Sequence, residues 1–259
     1  MLLVYVIGTA GSGKTTLVNA LYSYIVDQNE PAYIVNLDPA VLNLPYQPDI
    51  DVREYVRVDK IMEEYGLGPN GAIIVAMDLL VNYIDDIKTQ IESMEEGYVL
   101  IDTPGQMELF VFRKSSEEIV RCLNIDRSMI LFLHDSILAL SPSTFISQVF
   151  LAISILYRFH LPLANVYNKV DLLSDRELQN IISWIYNQDL LLISLRDEIR
   201  GDQLLLQESL LQTISDFLTN FSIFTISAKK EKGIGDVYAL LQRINKGGDK
   251  IDVAVDDFS

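Results

Sequence analysis

Gly8-Thr9-Ala10-Gly11-Ser12-Gly13-Lys14-Thr15 fits the pattern G-x-x-x-x-G-K-[ST], a loop whose backbone N–H groups wrap around phosphates. Its surroundings decide the reading. Before it, Leu2-Leu3-Val4-Tyr5-Val6-Ile7 is an apolar run suited to a strand buried on both faces. After it, Leu17, Leu21, Tyr24 and Ile25 recur at helical spacing. Strand, glycine loop and helix start make a phosphate site with the positive end of a helix dipole behind it. Gly11, Ser12, Gly13, Thr15 and Thr16 would line the phosphates, and Lys14 would reach the β- and γ-oxygens. The Thr15 hydroxyl would ligate Mg²⁺.

Four further strand ends carry candidate ligand groups. The run Ala32–Asn36 stops at Leu37-Asp38-Pro39-Ala40. Ligands gather at the carboxyl ends of strands in doubly wound sheets, which would aim Asp38 at the phosphates; read alone, Asp38-Pro39 is also a plain turn signal. The run Tyr98-Val99-Leu100-Ile101 stops at Asp102-Thr103-Pro104-Gly105-Gln106. That D-x-x-G would give Asp102 to Mg²⁺ through a water and the Gly105 N–H to the γ-phosphate. The run Leu163–Tyr167 stops at Asn168-Lys169-Val170-Asp171. A carboxylate at Asp171 can accept from both the ring N–H and the exocyclic amine of guanine, a pair that adenine does not offer. Leaving such a group unpaired discriminates by about 10⁴-fold or more. Asn168 would brace the loop or touch the base edge, and the Lys169 stem would cover the ring. A last strand, Ile223–Ile226, stops at Ser227-Ala228-Lys229, which resembles the loop whose backbone N–H meets guanine O6.

The 259 residues are 49% hydrophobic and 22% charged, enough to bury a large core. The expected fold is a three-layer, doubly wound α/β domain over residues 1–246, its sheet mostly parallel, of P-loop NTPase type with helical insertions. Helical patterns are expected around Asp51–Val56, Val58–Tyr65, Ala72–Met94, Ser115–Leu123 and Thr144–Phe159, with a leucine-rich helical insertion near 176–220. Gly66-Leu67-Gly68-Pro69-Asn70-Gly71 reads from composition as a turn between helices. Residues 247–259 read as a flexible acidic tail. One cysteine, Cys122, excludes an internal disulfide and fits a cytoplasmic protein. His134 and His160 read as structural. The net charge of −16 opposes direct binding of nucleic acid, and no apolar run reaches membrane-spanning length.

Four motifs in this order at strand ends resemble a P-loop GTPase. Asn36-Leu37-Asp38-Pro39-Ala40, Asp49-Ile50-Asp51-Val52-Arg53-Glu54 and Gly68-Pro69-Asn70 narrow the resemblance to the GPN-loop GTPases, across residues 1–246. The resemblance implies hydrolysis of GTP to GDP and phosphate with Mg²⁺ in a homodimer. In that family the stretch corresponding to Gly68-Pro69-Asn70 enters the partner subunit's site and helps orient the attacking water. Asp38 and Gln106 are the candidates for positioning that water within the chain. The resemblance also implies a molecular switch with a protein client related to RNA polymerase assembly; the alternative is a nucleotide-gated assembly chaperone with little hydrolysis. Two absences bear on this reading. No threonine lies between Thr16 and Thr89, so the first-switch threonine of Ras-type GTPases is missing and Asp38 is the substitute. The phosphate loop carries Thr9, Ala10, Gly11 and Ser12 where many dimeric relatives have a second lysine. Arg53, Arg57 and Arg113 remain open as cationic partners of the phosphates.

Overall fold

The computed structural model describes residues 1–124, 127–198 and 203–247. Its strands are β1 (Leu2–Gly8), β2 (Ala32–Asn36), β3 (Ile50–Asp51), β4 (Tyr98–Asp102), β5 (Arg127–Asp135), β6 (Leu163–Asn168) and β7 (Ile223–Thr225). They form one sheet in the order β3-β2-β4-β1-β5-β6-β7, and every strand pairing is parallel. β1 sits in the middle, and its side chains alternate between two cores. Leu2, Val4 and Val6 join one; Leu3, Tyr5 and Ile7 join the other.

A parallel sheet buried on both faces needs helices on both. On the first face lie α1 (Lys14–Asp27) and α11 (Ile234–Asn245), through Leu17, Leu21, Val237 and Leu241. The second face carries α2 (Val58–Tyr65), α3 (Pro69–Leu80), α4 (Ile84–Glu92), α5 (Met107–Val111) and α6 (Lys114–Leu123). It also carries α7 (Pro142–Phe159), α8 (Asp175–Tyr186), α9 (Gln188–Glu198) and α10 (Gln203–Asn220). The inner face of α3 and α4 is buried at Ile73, Met77, Leu80, Ile84, Ile87 and Ile91. Among the described residues no helix is long and apolar enough to cross a membrane. The acidic tail beyond Gly247 lies outside the described residues.

Two local expectations are corrected. The helix expected around Asp51–Val56 is a strand, Ile50–Asp51, followed by a single 3-10 turn, Val52–Glu54. Flanking carboxylates pull this segment onto the sheet edge: Asp49 Oδ2 accepts from the Ile34 N–H at 2.7 Å, and Asp51 Oδ1 from Asn36 Nδ2 at 3.0 Å. The turn expected over Gly66–Gly71 is shorter. Gly66 ends α2 in the left-handed region at φ 62°, and Pro69 already begins α3. Proline suits a first helical position, where its missing N–H has no helical partner to lose.

Candidate active site

Lys14 is buried, which is unusual for a lysine. Its Nζ donates to three carbonyl oxygens: Gly8 O at 2.9 Å, Thr9 O at 3.2 Å and Gly105 O at 3.1 Å. Burial pulls its pKa below the ordinary lysine value, against the opposing charges of Asp102, Asp38 and Glu108. The loop around it turns through Gly11 and Gly13, both left-handed at φ 77° and 99°. A Cβ at Gly13 would also stand 2.5 Å from Asn168 Nδ2. Gly11 and Thr16 are exposed, Thr15 is half-buried, and Ser12 is fully buried with its Oγ unpartnered.

Asp102 closes β4 beside this lysine. Its Oδ2 accepts from the Tyr46 hydroxyl at 2.6 Å, while Oδ1 is buried without a partner. Burial pushes the carboxyl up from its ordinary value, against the hydrogen bond from Tyr46, the nearby Thr15 hydroxyl and the charge of Lys14. Burial first, and then the Asp102 charge and hydrogen bond, push the Tyr46 phenol up. An orphaned, buried carboxylate oxygen beside a threonine hydroxyl is a donor set that fits a hard cation. Among the described residues no group of three or more His, Cys, Asp or Glu could hold a metal alone, so an ion here would need oxygens from phosphates as well.

Asp38 lies at the phosphate end of the sheet, as its strand-end position suggested, but through a contact that its sequence did not specify. Its Oδ2 accepts from the Gly105 N–H at 2.9 Å, the amide expected to meet a γ-phosphate, and its Oδ1 from the Ala40 N–H at 2.9 Å. Gln106 is half-buried at the start of α5 and its side chain does not cap the helix. Thr103 Oγ1 donates to Val6 O at 2.7 Å and pins this turn to β1.

The third cluster is joined by Asn168. Its Nδ2 donates to Ser12 O at 2.9 Å, and its Oδ1 accepts from the Ala228 N–H at 2.9 Å. Asn168 therefore braces, and the Ala228 amide expected for guanine O6 is held by Asn168. Lys169, left-handed at φ 68°, places Nζ 2.6 Å from Asp135 Oδ2. Asp171 and Lys229 are exposed, and Ser227 is fully buried.

Gly68, Pro69 and Asn70 are exposed. Pro69 borders a groove of about 700 Å³ whose other walls include Pro39, Val41, Leu42, Arg53 and Met62. Pro69 thus stands next to the loop after β2, and none of the bonds around Lys14 involves Gly68, Pro69 or Asn70. Each open arginine is committed to a carboxylate: Arg53 to Asp51, Arg57 to Asp59 and Arg113 to Asp78. Arg53 also donates to Val41 O at 3.0 Å. Tyr46 and Asp135 are the site residues that sequence reading missed. The signal for Tyr46 was an aromatic side chain held between Pro45 and Pro48 at the carboxyl edge of the sheet.

A phosphate loop after the central strand, an aspartate closing a neighbouring strand and a third loop clamped to the phosphate loop define a P-loop nucleoside triphosphatase fold. A family model described as "Conserved hypothetical ATP binding protein" matches residues 6–247. A GPN-loop GTPase of Pyrococcus abyssi is 35% identical, over 92% of this chain and 95% of its own length. The apo crystal structure of that GTPase superposes with a TM-score of 0.84 at 34% identity, over 93% of this chain and 96% of the other. GPN-loop GTPase 1 of Dictyostelium discoideum is 31% identical over 91% of this chain and 59% of its own length. GPN-loop GTPase 1 of Schizosaccharomyces pombe is 41% identical over 65% of this chain and 47% of its own. The chain spans about half the length of these two relatives. It belongs to the GPN-loop GTPase family.

Proposed function

We propose that the chain binds GTP with Mg²⁺ and hydrolyses it to GDP and phosphate as a homodimeric switch. The observation that carries this reading is a closed circuit at the γ end of the phosphate loop. Asp38 holds the Gly105 N–H, and Gly105 O holds Lys14. The groups that would touch a γ-phosphate satisfy one another, so an entering triphosphate must displace the Asp38 carboxylate. Presence of the third phosphate then becomes a movement of the loop after β2, which is what a nucleotide switch requires.

Water attacks the γ-phosphorus in line, the bond to the β–γ bridging oxygen breaks, and the proton leaves with phosphate. Lys14 and the loop amides stabilise the charge of the transferring group, the dominant contribution in this chemistry. Magnesium, held by Thr15, Asp102 and the phosphates, would neutralise charge on the β- and γ-oxygens. Asp38, once released from Gly105, and Gln106 position the water. Asn70, exposed on its own chain, completes the site from the partner subunit, a reading that rests on family resemblance. Guanine is chosen over adenine by Asp171; the family description names ATP, the relatives' names say GTPase, and the Asn168-to-Asp171 loop favours the latter. The client is a multisubunit assembly such as RNA polymerase, a reading that rests on family resemblance.

Phosphate release from GTP and from ATP, measured while the protein is diluted, tests this. A GTP preference with specific activity falling as dimers dissociate is expected. Equal use of both nucleotides, or unchanged specific activity down to the monomer, would overturn it.

A further inference from the structure

Resting on the GTP–Mg²⁺ reading above, we infer that Tyr46 is a positioning residue for the metal: its hydroxyl holds Asp102 Oδ2 and leaves Oδ1 as the one free acceptor. The hydroxyl-to-carboxylate distance of 2.6 Å lies in the range of a charge-assisted bond. Rotation about the terminal torsion of an aspartate is otherwise broad. A single strong donor on one oxygen fixes that rotation. The other oxygen is buried with no partner. A buried carboxylate oxygen left unpaired is costly, and a purely structural bond would gain most by pairing both oxygens. The charge of Lys14, whose Nζ donates to three carbonyl oxygens, acts on the same carboxylate.

The segment that carries Tyr46 is built to hold it there. Pro45 and Pro48 fix backbone torsions on either side, which reduces the freedom of the loop. At its far end Asp49 is tied to β2 twice, through Ile34 N–H to Asp49 Oδ2 at 2.7 Å and Asp49 N–H to Ile34 O at 2.8 Å. At its near end Asn36 Oδ1 accepts from the Asp38 N–H at 3.0 Å. The same loop therefore sends Asp38 to the γ-phosphate amide and Tyr46 to the metal carboxylate. Residues that orient a metal ligand from behind typically change metal affinity about 10–100-fold when removed.

The test compares the full chain with Tyr46→Phe, reading fluorescent GTP binding in excess EDTA and across a Mg²⁺ titration. The affinity in EDTA should be unchanged, and the Mg²⁺ concentration at the midpoint should rise about tenfold. Tyr46→His keeps a ring donor, should give a smaller rise, and carries the test if the phenylalanine variant does not fold. A midpoint that stays put overturns the proposal. So does a lowered midpoint, which would make Tyr46 a plug over the site, or an equal loss of affinity with and without Mg²⁺. Failure of the parent chain to bind GTP would instead refute the proposed function.

Discussion

Asn168→Ala removes the joint between three loops at the carboxyl edge of the sheet. The variant loses a donor to Ser12 O and an acceptor for the Ala228 N–H, each at 2.9 Å and buried. Both partners stay buried, and each buried group left unsatisfied costs roughly 1–3 kcal/mol. Two such groups, partly relieved where the side-chain cavity admits water, should cost about 3 kcal/mol. For a chain of this size that corresponds to a fall in Tm of about 6–12 °C, readable by circular dichroism or calorimetry. GTP and GDP affinity should fall together, because Ser12 and the base loop lose their common brace. Asp171→Ala is the control. Its side chain is exposed, so Tm should stay within about 2 °C while the preference for GTP over ATP disappears. A fall in Tm of less than about 2 °C for Asn168→Ala would mean that the two bonds add nothing net, and the bracing role would be refuted.

Other expectations follow from the same contacts. Asp38→Asn should keep the loop folded but weaken water positioning, lowering kcat about 100-fold with little change in GDP affinity; unchanged kcat would remove Asp38 from the chemistry. Asn70→Ala and Lys14→Ala should each be nearly inactive alone, yet their mixture should regain turnover in mixed dimers that carry one intact site. No recovery on mixing would refute action in trans. Stability should fall as pH drops from about 6.5 towards 4. His134 is fully buried, and burial lowers its pKa to about 4, against a hydrogen bond with Asn165 that raises it. The unfolded chain therefore binds a proton first, and stability present above pH 6.5 is lost by about 3 kcal/mol once pH 4 is reached. His134→Gln should flatten that part of a urea-denaturation profile; an equally steep profile would place the acid sensitivity elsewhere.

The strands were legible because a parallel sheet buried on both faces leaves long apolar runs, as at Leu2–Ile7 and Tyr98–Ile101. The loop residues were legible because backbone N–H groups, a lysine and a carboxylate at strand ends form a pattern that chemistry constrains. β3 was not, since two residues carry no periodicity and the pairing is set by Asp49 and Asp51 reaching to β2. Pro69 read as an interruption because sequence does not say whether a proline falls inside a helix or at its first position. Tyr46 lies in an irregular segment, where neither period two nor period 3.6 reports what a side chain meets. The bonds of Asp38 and Ala228 escaped for another reason: motif logic names the ligand that a group will meet, and in the free chain Asp38 meets the Gly105 N–H and the Ala228 N–H meets Asn168.

The Asn168 joint has a consequence for how the chain is made. Ser12 and Asn168 are 156 positions apart, and Ala228 lies 60 beyond Asn168. The phosphate loop leaves the ribosome well before the brace that closes it is synthesised. Contacts of such long sequence separation form slowly, and folding cannot complete them until the distant segments exist. A nascent chain up to β5 can assemble the centre of the sheet, with β1 between β4 and β5, and still lack a finished nucleotide pocket. The loop made early is closed late, so tight nucleotide binding reports that synthesis has passed Ala228.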